Sequence, residues 1–199
     1  FKLRHMKQEF LDSKVALIEN FISPEHAAEC ARELRDIMMK PSDWKEVAPN
    51  ASSIYNPTFG LEIMCDKNSL INDIVGEYLV PTYCFSRIYR TGDTLPKHED
   101  RAACEVSLTI HLDGDEEWLF GCYDKHLSLN PGDAVLYLGH LVPHYRVDPY
   151  RGKEYLQFFM HYVRTRGCHK KVYFDKEKRL YGSDMQVNEK KLMEELYGI

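Results

Sequence analysis

The chain has 199 residues, 44% of them apolar and 29% charged, with a formal net charge of −5. These values suit a single globular domain with a real core and exclude disordered and fibrous classes. The acidic balance gives no bulk attraction to nucleic acid or to an anionic membrane. No apolar run nears the roughly 20 residues that a membrane-spanning helix needs.

The first residues, FKLRHM, lack the apolar stretch of a signal peptide. Residues 1–5 are read as an appended stretch ahead of Met6 and carry no functional weight. Residues 15–21 alternate loosely and predict a short strand leading into a helix. Ser23-Pro24-Glu25 supplies an N-cap, a first-turn proline and a first-turn acid. Ala27, Cys30, Ala31, Leu34, Ile37 and Met38 then recur at helical spacing, and Pro41 ends the pattern. Residues 42–58 are rich in Pro, Ser and Asn and predict a surface loop. A second helix is expected over 69–79, stopping before Pro81.

From Thr82 the texture changes to short β runs. Strands are predicted over 83–90, 104–112, 118–122, 134–138, 142–147 and 153–163. Asp113-Gly114-Asp115 and Asn130-Pro131-Gly132-Asp133 are turn signals between them. Short strands at regular spacing after two helices indicate a sandwich or barrel with helices on one sheet. The tail is charged, and a last helix is expected over 188–197. Six cysteines occur without a CxxC pair, so they are read as thiols in a reducing, cytoplasmic setting.

Two His-x-Asp pairs occur, His98-Glu99-Asp100 and His111-Leu112-Asp113. The second ends a predicted strand, and Asp113 opens a turn; turn formation is its expected job. The first lies in a polar loop after Gly92 and Pro96, where both side chains can converge on an ion. His140 and His144 follow the predicted strand over 134–138, and either supplies a third imidazole. Two histidines and a carboxylate fill one face of an octahedral Fe(II) and leave the other open. Nine positions after His144 stands Lys153, at the start of a long strand, with Arg151 as its competitor. A fixed cation there suits the far carboxylate of a dicarboxylate that chelates the same metal.

Three stretches together resemble the Fe(II)/2-oxoglutarate-dependent dioxygenases, and among them the prolyl-4-hydroxylase-like group. They are Leu17-Ile18-Glu19-Asn20-Phe21-Ile22-Ser23-Pro24-Glu25; Ile88-Tyr89-Arg90-Thr91-Gly92 with Leu95-Pro96-Lys97-His98-Glu99-Asp100; and Pro131-Gly132-Asp133-Ala134-Val135 through His144 to Lys153. The resemblance implies a mainly β fold with flanking helices: a double-stranded β-helix (jelly-roll) core, with N-terminal helices packed on one sheet. It implies one domain over 1–199, with helical support over about 15–80, the β-helix over about 82–165 and an extension over about 166–199.

By the same resemblance, His98, Asp100 and His144 are the iron ligands. Lys153 pairs with the far carboxylate of 2-oxoglutarate, Tyr89 donates to the cosubstrate, and Gln157 contacts it from the strand face shared with Lys153. No catalytic side chain is expected beyond the metal centre. Two departures from the group stand out: many relatives carry arginine where Lys153 stands, and the gap from Asp100 to His144 is short. The implied cofactors are Fe(II), 2-oxoglutarate and O2, with ascorbate as an optional reductant. The implied reaction hydroxylates a C–H bond, of a peptidyl proline or another peptide side chain, while 2-oxoglutarate becomes succinate.

Arg101, Tyr145 and Arg146 flank the ligands as candidate substrate contacts. Trp118 is read as core, and His161 as a hydrogen-bonded core histidine. Residues 42–58 and the Arg101 region are the expected substrate-reading loops. The same chemistry on a free amino acid, nucleotide or small metabolite stays open, as does a cupin-like metal- or ligand-binding module without turnover. The partner is thus a peptide, protein or small molecule, with no nucleic acid and no membrane. The oligomeric state is left open.

Overall fold

In a computed structural model, residues 2–39 and 52–175 are described. Helix α1 (Lys2–Ser13) buries Met6 and Phe10 one turn apart and leads into strand β1 (Val15–Ile18). Helix α2 (Pro24–Met39) follows. The Ser23 hydroxyl accepts the His26 backbone N–H at 3.1 Å, as the N-cap reading requires. Its buried stripe is Ala27, Cys30, Ala31 and Leu34.

Strand β2 (Ser52–Tyr55) and helix α3 (Thr58–Val75) come next. The helix therefore begins eleven residues before the expected Ser69. The Pro, Ser and Asn texture of 42–58 masked strand β2, while the helix start that follows, with buried Phe59, Leu61, Ile63 and Met64, was assigned to no element. The part of the predicted loop before Ser52, and the predicted helix over 188–197, lie outside the described residues. Helix α3 ends at Gly76, whose φ of +80° is the left-handed conformation that a glycine C-cap adopts without cost.

Seven further strands follow: β3 (Leu79–Arg90), β4 (Val106–Gly114), β5 (Phe120–Cys122), β6 (Lys125–Leu127), β7 (Ala134–Tyr137), β8 (His144–Arg146) and β9 (Glu154–Arg164). Strand β6 is a three-residue partner of β5, too short and polar to show a period in sequence. Two sheets result, of order β1-β7-β4-β9-β3-β2 and β6-β5-β8. His98 adds a bridge to the second sheet by exchanging backbone hydrogen bonds with His144, at 3.1 and 2.9 Å.

Strand β9 shows how the layers are separated. Leu156, Phe158, Met160 and Tyr162 are fully buried on the helix side. There the Phe158 ring meets Phe59 edge-on at 5.5 Å, and the Tyr162 hydroxyl reaches the Met64 carbonyl at 3.4 Å. The alternate residues Tyr155, Gln157, Phe159 and His161 face the second sheet, because successive side chains point to opposite faces. The helices thus pack on one sheet, and the functional candidates lie between the two. All six cysteines are unbridged, and no helix among the described residues is long and apolar enough to cross a membrane.

Candidate metal centre

His144 opens β8, and His98 is held opposite it by the backbone bridge just described. Two residues on, the Asp100 N–H donates to the Gly139 carbonyl at 2.8 Å, which folds the loop back toward β8. The result brings His98 Nε2 to 3.6 Å and His144 Nε2 to 3.5 Å from the two Asp100 carboxylate oxygens. The imidazole centroids are 4.3 Å apart. The three ligand atoms lie within 4.8 Å of one another, the spacing of groups that can share one ion.

Tautomers are set by the backbone. His98 Nδ1 lies 2.7 Å from the Pro96 carbonyl, and His144 Nδ1 lies 2.9 Å from that of Val142. A carbonyl only accepts, so each Nδ1 carries the proton and each Nε2 presents its lone pair inward. Burial pushes the Asp100 carboxyl up, but when His144 and His98 take up a second proton on Nε2, their hydrogen bonds outweigh burial and hold it well below the usual carboxylate range. Asp100 in turn raises the proton affinity of His98. A divalent cation in place of those protons satisfies all three groups at once. The donor set, two imidazoles and a carboxylate on one face, fits Fe(II). The centre opens on the His98 side, where that side chain is 37% exposed, against 4% for His144.

The other histidines and the second His-x-Asp pair do different work. His140 Nδ1 is bound to the Glu105 carbonyl at 3.1 Å, and its ring stacks edge-on with His169. His111 is buried and stacked on Tyr155 at 4.1 Å, while Asp113 is ion-paired with Arg35 at 2.6 Å. That ion pair, across a bulge in β4, adds to the turn role expected of Asp113. His161 is buried, with Nδ1 2.8 Å from the Ser107 hydroxyl, and burial lowers its pKa to about 4. With Cys104 it forms a second cluster around Asp100. Burial pushes the Cys104 thiol up to about 12, so it remains a neutral thiol.

Deeper between the sheets, Tyr89 is buried and meets Trp118 edge-on at 5.0 Å. Trp118, read as core, is buried and lines this region beside Tyr155. Gln157 is buried too, and its amide donates to the Thr109 hydroxyl. Arg87 of β3 pairs in register with Gln157 and lies over the Tyr89 ring at 5.1 Å. No spacing in the sequence marked Arg87.

Lys153 is not brought to this face. It is exposed just before β9, where its backbone N–H donates to Asp115. The strand parity was right, but the inward alternation starts only at Tyr155. Arg146, expected as a substrate contact, is instead 96% buried between the sheets, because it follows His144 by two and so shares its face. Arg101 is ion-paired at 2.6 Å with the fully buried Asp175 and lies over the Tyr83 ring. Asp175 also accepts the Tyr55 hydroxyl. Arg101 therefore ties the ligand loop to the segment Lys170–Asp175. Tyr145 points outward at the rim, hydrogen-bonded to His126 at 2.9 Å.

No protein-family model matches the sequence, and no curated protein matches it significantly. Solved structures do match in fold. A Pseudomonas putida prolyl-4-hydroxylase superposes with a TM-score of 0.61 at 18% identity, covering 83% of this chain and 100% of that one. HygX from Streptomyces hygroscopicus, with nickel and 2-oxoglutarate bound, gives 0.65 at 12% identity over 82% and 87%. The non-heme α-ketoglutarate-dependent epimerase SnoN from nogalamycin biosynthesis gives 0.65 at 10% identity over 82% and 84%. The chain shares with these proteins the double-stranded β-helix fold.

Proposed function

We propose that the chain is an Fe(II)- and 2-oxoglutarate-dependent dioxygenase that hydroxylates a C–H bond. The observation that carries this reading is the locked triad: two Nε2 lone pairs and an ionised carboxylate converge on one point at an open edge of the β-helix. His98, Asp100 and His144 hold the metal on one face. Bound Fe(II) supplies the redox chemistry that couples O2 reduction to decarboxylation of 2-oxoglutarate to succinate. The Pro96 and Val142 carbonyls keep both imidazoles aimed, and Gly139 gives Asp100 room to approach. Tyr89, Gln157 and Trp118 are buried in the layer between the two sheets.

The prolyl-4-hydroxylase likeness, which spans that enzyme's whole length, supports a peptidyl proline or other peptide side chain as substrate. A small-molecule substrate is the second reading, favoured by the likeness to an epimerase from nogalamycin biosynthesis. The unbridged cysteines support a reducing, cytoplasmic setting. The shared core of helices and sheets supports reading the described residues as one domain. The test is succinate formation from 2-oxoglutarate by Fe(II)-loaded protein, alone and with peptide and metabolite panels. Absence of succinate in every case, uncoupled turnover included, would leave a cupin-like binding module.

A further inference from the structure

Arg146 is a buried cation with no carboxylate beside it among the described residues. Its guanidinium lies against Trp118, Tyr155 and Phe120, with 4.6, 4.7 and 5.4 Å to the ring centroids. It donates to the Trp118 carbonyl and to the Gln157 side-chain oxygen, both neutral acceptors. Its Nε–H is buried and has no hydrogen-bond partner. Aromatic faces soften the burial of a cation, but they leave its charge unneutralised and that donor unused, which is costly in a dry interior.

The position of this charge says which anion would complete it. Arg146 and the metal ligand His144 stand two apart on one face of β8, so their side chains spring from points about 6.7 Å apart. The terminal carbons of an extended five-carbon diacid are about 5 Å apart, four C–C bonds of about 1.5 Å. Such a diacid, chelating the ion through its 2-oxo acid end, suits the span to the guanidinium. A 2-oxo acid without a second carboxylate leaves Arg146 unpaired.

We infer that Arg146, carried by the same strand as the distal metal ligand, holds the far carboxylate of 2-oxoglutarate, with Gln157 orienting the guanidinium. Lys153 takes no part. This rests on the cosubstrate reading above. A guanidinium offers the planar pair of donors that a carboxylate accepts, and here it approaches from the second sheet rather than from the start of β9. Arg87, partly buried over Tyr89, is the rival cation.

The test is isothermal titration of Zn(II)-loaded protein with 2-oxoglutarate and with 2-oxobutyrate, which lacks the far carboxylate. Arg146→Met is expected to weaken 2-oxoglutarate roughly 10- to 100-fold and to leave 2-oxobutyrate unchanged. A merely structural role weakens both ligands alike and overturns the proposal. Lys153→Ala, at an exposed position that tolerates truncation, is expected to bind 2-oxoglutarate as the wild type does. Loss of binding there, or in Arg87→Met with Arg146→Met unaffected, also overturns it. If the wild-type protein takes up metal but never binds 2-oxoglutarate, the cosubstrate reading itself fails, a distinct result.

Discussion

Gly139 gives a sharp test of how the ligand loop is held. A methyl group built on it lies 2.5 Å from the Ser107 hydroxyl, 2.6 Å from the Cys104 carbonyl and 2.8 Å from an Asp100 carboxylate oxygen. All three are closer than carbon tolerates, and the Cys104 carbonyl is backbone that cannot swing aside. Gly139→Ala therefore has to move either its own turn, which accepts the Asp100 N–H, or the carboxylate. Overpacking of this kind costs about 1–3 kcal/mol of stability. Displacing a group that orients a ligand typically costs about 10- to 100-fold in metal affinity. Gly76→Ala is the control: φ is +80°, and the nearest atom to the new methyl is an ordinary 3.5 Å away. It should lose about 1–2 kcal/mol through the left-handed backbone alone and bind metal normally. Denaturant melts give the stabilities, and anaerobic Fe(II) titration gives the affinities. Wild-type metal affinity in folded Gly139→Ala would refute the account of Asp100 placement.

Three other outcomes follow from the same geometry. His144→Ala should abolish Fe(II) binding, whereas Asp113→Asn should keep it and only loosen the Arg35 ion pair; metal content after dialysis separates the two His-x-Asp pairs. Asp175→Asn removes the buried partner of Arg101 and should cost about 3 kcal/mol, with the loss read by urea denaturation; an unchanged midpoint would show that the tie is idle. Burial, helped by Arg146, lowers the pKa of His111 to about 4, against roughly 6.5 unfolded. Between those values the unfolded chain takes up a proton that the folded one refuses, so stability is lost as pH falls. The loss from this residue is about 2 kcal/mol near pH 5. His111→Phe should flatten the slope between neutral pH and about pH 5; an identical slope sinks the assignment.

The candidate metal triad was legible in part because its constraints are local. His98 and Asp100 sit two apart in a polar loop and His144 follows a strand; that spacing made them candidates, and the family resemblance singled them out over His111 and Asp113. The helix-stripe residues Ala27, Cys30, Ala31 and Leu34 and most strands were legible for the same reason, since periodicity follows from the local backbone. Helix α1 went unread, because only Met6 and Phe10 are buried and the rest of that surface is polar. Helix α3 was read only from Ser69 onward, and its first half, residues 59–68, was assigned to no element.

What only the tertiary structure decided is which charges are inside. Lys153 and Arg146 look alike in sequence, one nine residues after the distal histidine and the other two. Strand β9 begins its inward alternation too late to bury Lys153, while β8 carries Arg146 inward behind His144. Likewise Arg101 meets Asp175 across a sequence distance that no local pattern reports. Residue type and spacing marked the candidate triad, since one face of a metal ion needs only three side chains and a turn. Strand register and sheet pairing, which arise from long-range burial, decided which cation is buried between the sheets.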